Sequence, residues 1–288
     1  IFKKGVKGNP GNYRPVSLTS IVCKIMESCI RDELVDHLLT NNLINRSQHG
    51  FMKNKSCTTN LLEFLETLTE EQDRSRPMDV IYLDFSKAFD KVPHQRLLSK
   101  FAAHSVEGNV LRWIGQWLSN RKQRTVLNGQ ASDWGEVDSG VPQGSVLGPL
   151  AFIVFINDID DLTKLITVMN KFADDTKLGN IVTSQSEIDA LQKCINDLVA
   201  WAEAWGMQFN TKKCKVMHNG RNNPNAQYTM NGTVLESTSE ERDIGVKVHQ
   251  SLRPGKQCAE SARRANAVLG QISRAFHYRN RYTFVDLY

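Results

Sequence analysis

The chain has 288 residues, 40% hydrophobic and 23% charged, which is enough apolar material for a sizeable core and excludes wholesale disorder. Its formal net charge of +5 is compatible with a polyanionic partner but too small to demand one. The longest apolar run, Val146 to Ile156, contains Gly148 and Pro149 and is too short to span a bilayer, so no membrane association is expected.

The first stretch, FKKGVKGNPGNYRPVSL, is rich in Gly, Pro and basic residues and reads as a loop or hairpin. From Ser20 to Leu39 the residues Ile21, Ile25, Cys29, Leu34 and Leu38 follow a helical period. A second helix is expected over 58–68, with Leu61, Leu62, Leu65 and Leu68 on one face. VIYLDF, residues 80–85, reads as a short buried strand. Helices over 95–104 and 110–118 follow, then a hairpin over 123–137 turning at Asn128-Gly129. A glycine-rich loop (140–148) leads into an apolar helix over 150–159.

Residues 168–178 read as strand, two-residue turn, strand, with Asp174 and Asp175 as the turn. Ser184-x-x-Glu187 is a capping box that opens a long helix ending at Gly206. Its Trp201 and Trp205, like Trp113 and Trp117, read as helix-packing residues. Short strands are expected at 207–209, 215–218, 227–235 and 243–248, with a turn at Asn231-Gly232, and a helix after Pro254. The six cysteines contain no C-x-x-C pair and read as reduced intracellular thiols. The missing initial Met and the helical pattern at Tyr288 point to a fragment of a longer polyprotein. Mixed helices and short, largely antiparallel strands give an α+β fold.

Three aspartates are the candidates for chemistry, although a pair of aspartates in a turn and an aspartate ending a strand are also common on ordinary surface. Asp84 closes an apolar strand, where a lone carboxylate is costly to ionise unless it is paired or bound to metal. If the 171–179 hairpin lies beside it in one sheet, three carboxylates converge. Such a cluster needs cations, and oxygen-only ligation suits Mg²⁺. Two such ions support in-line phosphoryl transfer.

YLDFSKAFDKV (82–92), GVPQGSVLGPLAF (140–152), KFADDTKL (171–178), WGMQFNTKKCKVM (205–217) and RDIGVKV (242–248) resemble, in order, the motifs of reverse transcriptases. NYRPVSL (12–18) and QHGF (48–51) resemble their fingers-side motifs. The nearest resemblance is to LINE-type non-LTR retrotransposon polymerases of the jockey and CR1 kind, and it covers nearly the whole chain.

The resemblance implies a right-hand polymerase core: fingers over 1–78, a palm with an antiparallel sheet over 79–237, and the end of the palm with the start of a helical thumb over 238–288. It implies Asp84, Asp174 and Asp175 as ligands of two Mg²⁺ ions (Mn²⁺ as a substitute), Asp174 being the surer of the hairpin pair, with Phe85 lending its backbone carbonyl. Asp90 reads as a helix-start residue. Phe89 corresponds to the ring that stacks under the incoming sugar and blocks a 2′-hydroxyl. Gln143 and Gly144 correspond to the nucleotide- and template-facing loop, and Arg14, helped by Lys3 and Lys4, to the triphosphate clamp. Lys213 matches the lysine that protonates pyrophosphate, with Lys212 and Lys215 close enough to compete for that role. A solvated basic face remains the alternative for each of these lysines. The last helix, with Arg263, Arg264, Arg274, Arg279 and Arg281, could follow a duplex's phosphates.

The implied activity is RNA-directed DNA synthesis from a primer 3′-hydroxyl, with RNA template, DNA primer and dNTPs as partners, inside the cell in nucleus or cytoplasm. Three rivals stand beside it. A group II intron maturase shares the motifs. A decayed or co-opted copy would bind nucleic acid without chemistry. A nucleotidyl cyclase would lack the Gln143 loop and the basic C-terminal helix.

Overall fold

The computed structural model describes residues 1–3, 5–9, 12–14, 16–127, 129–276 and 281. Among the described residues of the N-terminal segment Phe2 bridges Tyr13 antiparallel, as in a hairpin, with Lys3 N–H donating to Asn12 C=O and Arg14 N–H to Ile1 C=O, and α1 (Ile21–Thr40) then starts where the Ser20 hydroxyl accepts the Cys23 N–H. Its buried side chains are Glu27, Leu34 and Leu38, while Ile21 and Ile25 are exposed, so only the second half of the expected apolar face meets the core. α2 (Cys57–Asp73) opens on a Ser56–Thr59 capping box and buries Leu61, Phe64 and Leu68, leaving Leu62 outside.

β1 (Met78–Leu83) follows, then the short α3 (Ala88–Lys91), α4 (His94–Ala103) and α5 (Gly108–Leu118). The expected hairpin over 123–137 is two nested two-stranded ladders. In the outer one β2 (Lys122–Gln123) pairs with β5 (Gly135–Glu136), and in the inner one β3 (Val126–Leu127) pairs with β4 (Gln130–Ala131). Asn128 of its expected turn lies outside the described residues. α6 (Gly148–Phe155) ends earlier than its apolar run predicts and passes into a 3₁₀ turn over Asn157–Leu162.

β6 (Val168–Phe172) and β7 (Asp175–Ile181) form the acidic hairpin, and α7 (Gln185–Trp205) runs from the Ser184–Glu187 capping box to a left-handed Gly206 at φ 72°. The segment 207–209 is not a strand of its own, because only Phe209 bridges, opposite Phe85. β8 (Lys215–Asn219) is followed by β9 (Thr229–Met230) and β10 (Thr233–Val234), which turn at Asn231-Gly232 as expected, and by β11 (Glu236–Ser237). The single strand expected over 243–248 is a hairpin of β12 (Glu240–Asp243) and β13 (Val246–His249). Its turn, Ile244-Gly245, has two positive φ angles, the backbone a two-residue hairpin loop favours. α8 (Gly255–Ala275) buries no side chain along its length.

The main sheet has the order β11-β8-β1-β7-β6, antiparallel except for the β11–β8 pair. β1 is central and both its faces are covered, which is why its sequence reads as a near-continuous apolar run. Ile81 and Leu83 face the larger core with α4, α6 and α7, where Trp201 packs among Phe85 and Phe155 as expected for a core residue. Met78 and Val80 face a smaller cluster with Phe64 and Leu68 of α2, Met217 and Val248. The architecture is the expected α+β one.

Candidate active site

The register of the central strands brings the acidic residues together. Leu83 pairs with Thr176, so the next step along β1 sets Asp84 beside Asp175 at the turn end of the hairpin. Phe172 pairs with Asp175, so the two turn residues are Ala173 and Asp174, and Asp175 is the first residue of β7. The turn is thus displaced by one residue from the expected Asp174-Asp175. Ala173 takes the left-handed backbone, φ 56°, that an L-residue adopts there only when its surroundings hold it.

The electrostatics follow from this crowding. Burial and, after it, the charge of Asp84 raise the carboxyl pKa of Asp174, against the lowering effects of its own backbone hydrogen bond, Arg14 and Lys213. Burial, then Asp174, Asp243 and Asp84, push Asp175 up to about 6, with Lys177 opposing. The Asp175 side chain also opens to solvent, so screening softens that repulsion. Among the described residues one protein cation reaches Asp84: Lys213 Nζ lies 3.0 Å from its Oδ2 and 3.3 Å from its Oδ1.

Among the described residues, no group of three or more His, Cys, Asp or Glu side chains closes on a point as a ready metal cage. The donor set nevertheless fits a hard divalent ion: three carboxylates with oxygen ligands only, mutually repelling, and one ammonium already drawn to them. Asp84, Asp174 and Asp175 are the side chains that could hold such an ion.

The remaining residues divide by what they touch. Phe85 buries its ring against Phe209, centroids 4.4 Å apart. The flanking bonds, Ser86 N–H to Gln208 C=O and Asn210 N–H to Asp84 C=O, make Phe85–Phe209 a pair without mutual hydrogen bonds. The Phe85 carbonyl therefore turns away from residue 209, toward the side where the acidic hairpin lies. Phe89 is half-buried and stacks on Phe152 of α6 at 4.5 Å. Asp90 sits in the first turn of α3, and its Oδ1 accepts 2.8 Å from the Gln143 amide.

Both glycines of the 140–144 loop are explained by the chain itself. A Cβ on Gly140 would lie 2.7 Å from the Asp90 carbonyl oxygen, and one on Gly144 would lie 2.9 Å from that of Ser17. Arg14 is exposed and forms no salt bridge among the described residues, whereas Lys4 lies outside the described residues. Of the three competing lysines, Lys213 meets Asp84, Lys215 pairs with Glu236, and Lys212 is exposed.

A cleft of about 320 Å³ opens beside the carboxylates, lined by Asp84, Asp175, Lys212, Lys213 and the β12–β13 turn. Lys177, two residues after Asp175 on the same face of β7, forms a buried ion pair with Asp243 that ties this hairpin to the sheet. Sequence reasoning gave no role to Lys177 and Asp243, and none to Glu27. Glu27 Oε2 accepts the N–H groups of Val146 and Leu147 at 2.7 and 3.1 Å and so caps the start of α6 below the glycine loop, while Oε1 accepts from Trp117 at 3.1 Å. An acidic residue on the apolar side of α1 was the available signal.

An antiparallel sheet whose central strand ends in a carboxylate beside an acidic hairpin, with helices stacked behind, is the core of a right-hand polymerase. Telomerase from Candida tropicalis, solved without its C-terminal domain, superposes with a TM-score of 0.56 over 80% of this chain and 45% of that one, at 13% identity, which speaks for the fold alone. The chain belongs to the reverse transcriptase (RNA-dependent DNA polymerase) family, whose model matches residues 1–264. It is 28% identical over 252 residues to the RNA-directed DNA polymerase from mobile element jockey of Drosophila funebris, covering 84% of this chain and 27% of that protein. A Pol polyprotein from the type-1 retrotransposable element R1 of Bradysia coprophila is 25% identical over 261 residues, 86% of this chain and 24% of that protein. The chain thus spans under a third of the length of these relatives. No helix among the described residues is long and apolar enough to cross a membrane.

Proposed function

We propose that this chain is the polymerase core of a non-LTR retrotransposon reverse transcriptase, extending a DNA primer on an RNA template with dNTPs. The observation that carries the reading is the gathering of Asp84, Asp174 and Asp175 at one end of the central strand, in a chain of this family, with Lys213 alone among the described residues in an ion pair with any of them.

Residues 1–78 serve as fingers, 79–237 as palm, and 238–288 as the end of the palm and start of a thumb. Asp84, Asp174 and Asp175 are the residues that would hold two Mg²⁺ ions, and the Phe85 carbonyl would offer a further oxygen. Bound there, the ions supply activation of the primer hydroxyl and neutralisation of the phosphate charge. The chain's own groups do the rest, which is chiefly positioning. Arg14 clamps the triphosphate from the exposed N-terminal loop. Phe89, braced face to face on Phe152, presents a rigid ring to the sugar and excludes a 2′-hydroxyl by volume. Gln143, held by Asp90, and Gly144 line the nucleotide side of the loop.

Lys213, beside Asp84, is placed to donate a proton to departing pyrophosphate. The exposed arginines of α8, Arg263, Arg264 and Arg274, follow the duplex phosphates. The protein works inside the cell, where its nucleic-acid partners are.

Primer extension on an RNA template with Mg²⁺ and dNTPs tests the reading. The wild-type protein extends, Asp174→Ala does not, and Phe89→Ala accepts ribonucleotides. A variant lacking the Asp174 carboxylate that still extends the primer would overturn the site. Unchanged sugar discrimination in Phe89→Ala would return that ring to the core.

A further inference from the structure

The acidic hairpin is held from outside by a segment to which the reaction gives no part. β6 is the edge strand of the sheet, and residues 47–49 run parallel to it and cover that edge. Lys171 N–H donates to Ser47 C=O at 2.9 Å, and His49 N–H donates to Lys171 C=O at 2.8 Å. Gln48 between them is 1% exposed. Its side-chain oxygen accepts two backbone N–H groups, Gly50 at 2.8 Å and Ala173 at 3.0 Å. Both neighbours are donors, so the carboxamide oxygen and not its nitrogen must face them.

Ala173 is the left-handed turn residue directly before Asp174, and the β6–β7 ladder begins only outside it, at Phe172–Asp175. Its N–H would otherwise be a buried orphan. Gly50 belongs to the same device. A Cβ there would stand 2.5 Å from the Ala173 nitrogen, so only glycine lets the two segments approach this closely.

We propose that Gln48 is a positioning residue that splints the turn and so fixes where the Asp174 carboxylate points. The bond from Ala173 pins the unusual backbone of that residue. Without it the alanine relaxes toward negative φ and the next side chain swings away from Asp84. The consequence for catalysis rests on the polymerase reading above, but the splint itself does not.

The test compares wild type, Gln48→Met and Gln48→Glu by backbone hydrogen exchange and by steady-state primer extension on a primed RNA template. Met keeps the length of the side chain without the acceptor, whereas Glu keeps an acceptor oxygen. The Ala173 amide in Gln48→Met should exchange at least about tenfold faster. Its kcat should fall about tenfold or more while KM for dNTP stays within about twofold, as for a misplaced catalytic group.

Gln48→Glu should keep the Ala173 amide protected. Should Gln48→Met fail to fold, loss of that protection in folded Gln48→Glu overturns the splint, and retention supports it. An Ala173 amide as protected in Gln48→Met as in wild type overturns the splint. Faster exchange with an unchanged kcat overturns the positioning of Asp174. A wild-type protein that extends nothing removes the polymerase reading, while the exchange result still decides the splint.

Discussion

The two ends of β1 carry aspartates with opposite fates. Asp79, near the start, is wholly buried and fully supplied with donors: His218 Nδ1 at 2.7 Å, the Asn223 amide at 2.9 Å and the Tyr228 hydroxyl at 2.8 Å. Burial, then the negative charge of Asp79, push the Tyr228 phenol far above its ordinary range. Asp84, five residues on, sits at the edge of a cleft, meets one lysine, and lies against two further carboxylates whose pKa values are raised. A carboxylate that serves the fold is given hydrogen-bond donors by the fold. One left short of them is a candidate for chemistry, since a group from outside the chain can complete it.

That contrast can be broken by substitution. The largest effect is expected for Asp84→Asn, in which primer extension falls to background while thermal stability is kept or rises, because repulsion is relieved. An unfolded Asp84→Asn would place Asp84 with Asp79 as a structural residue. Asp79→Ala should do the reverse and lose about 3 kcal/mol of stability, since it strands a histidine, an amide and a phenol in the core. Urea unfolding measures this, and extension per folded molecule should be near normal. Lys213→Ala should lower kcat by roughly tenfold to a hundredfold while KM for dNTP stays within about twofold. An unchanged kcat would reduce that lysine to a counter-ion.

The smallest effect is one of pH. With Asp175 at about 6 in the folded chain against an ordinary carboxylate value of about 4, the folded state binds the extra proton between those limits. Stability contributed by this group is therefore present below that window and declines as pH rises through it. Asp175→Asn should flatten the slope of melting temperature against pH between about 4 and 6, and Mg²⁺ should raise the melting temperature more at pH 7 than at pH 5.

Much of this was legible in the sequence, and the gaps have physical causes. Capping boxes, the Asn231-Gly232 turn and the apolar β1 are local signals, and they gave the right elements because local chemistry decides them. The one-residue displacement of the acidic turn was not legible, because a left-handed alanine is stable only with help from Gln48, some 125 residues away. Tertiary contact likewise decided that Ile21 and Ile25 face outward while Glu27 faces in, since Glu27 is needed by the N–H groups of Val146 and Leu147. The site residues came from ordered motifs; what holds them (Gln48, Glu27, and the Lys177–Asp243 pair) came only from the fold.

The proposed function stands on the completion of the carboxylates at the end of β1 by divalent cations. Titration of Mn²⁺ followed by electron paramagnetic resonance, on the wild-type chain and on Asp84→Asn with primed template and dNTP present, measures it directly. Mn²⁺ should bind the wild type, be displaced by Mg²⁺, and bind weakly or not at all to the variant. Equal Mn²⁺ binding by the two proteins would contradict it.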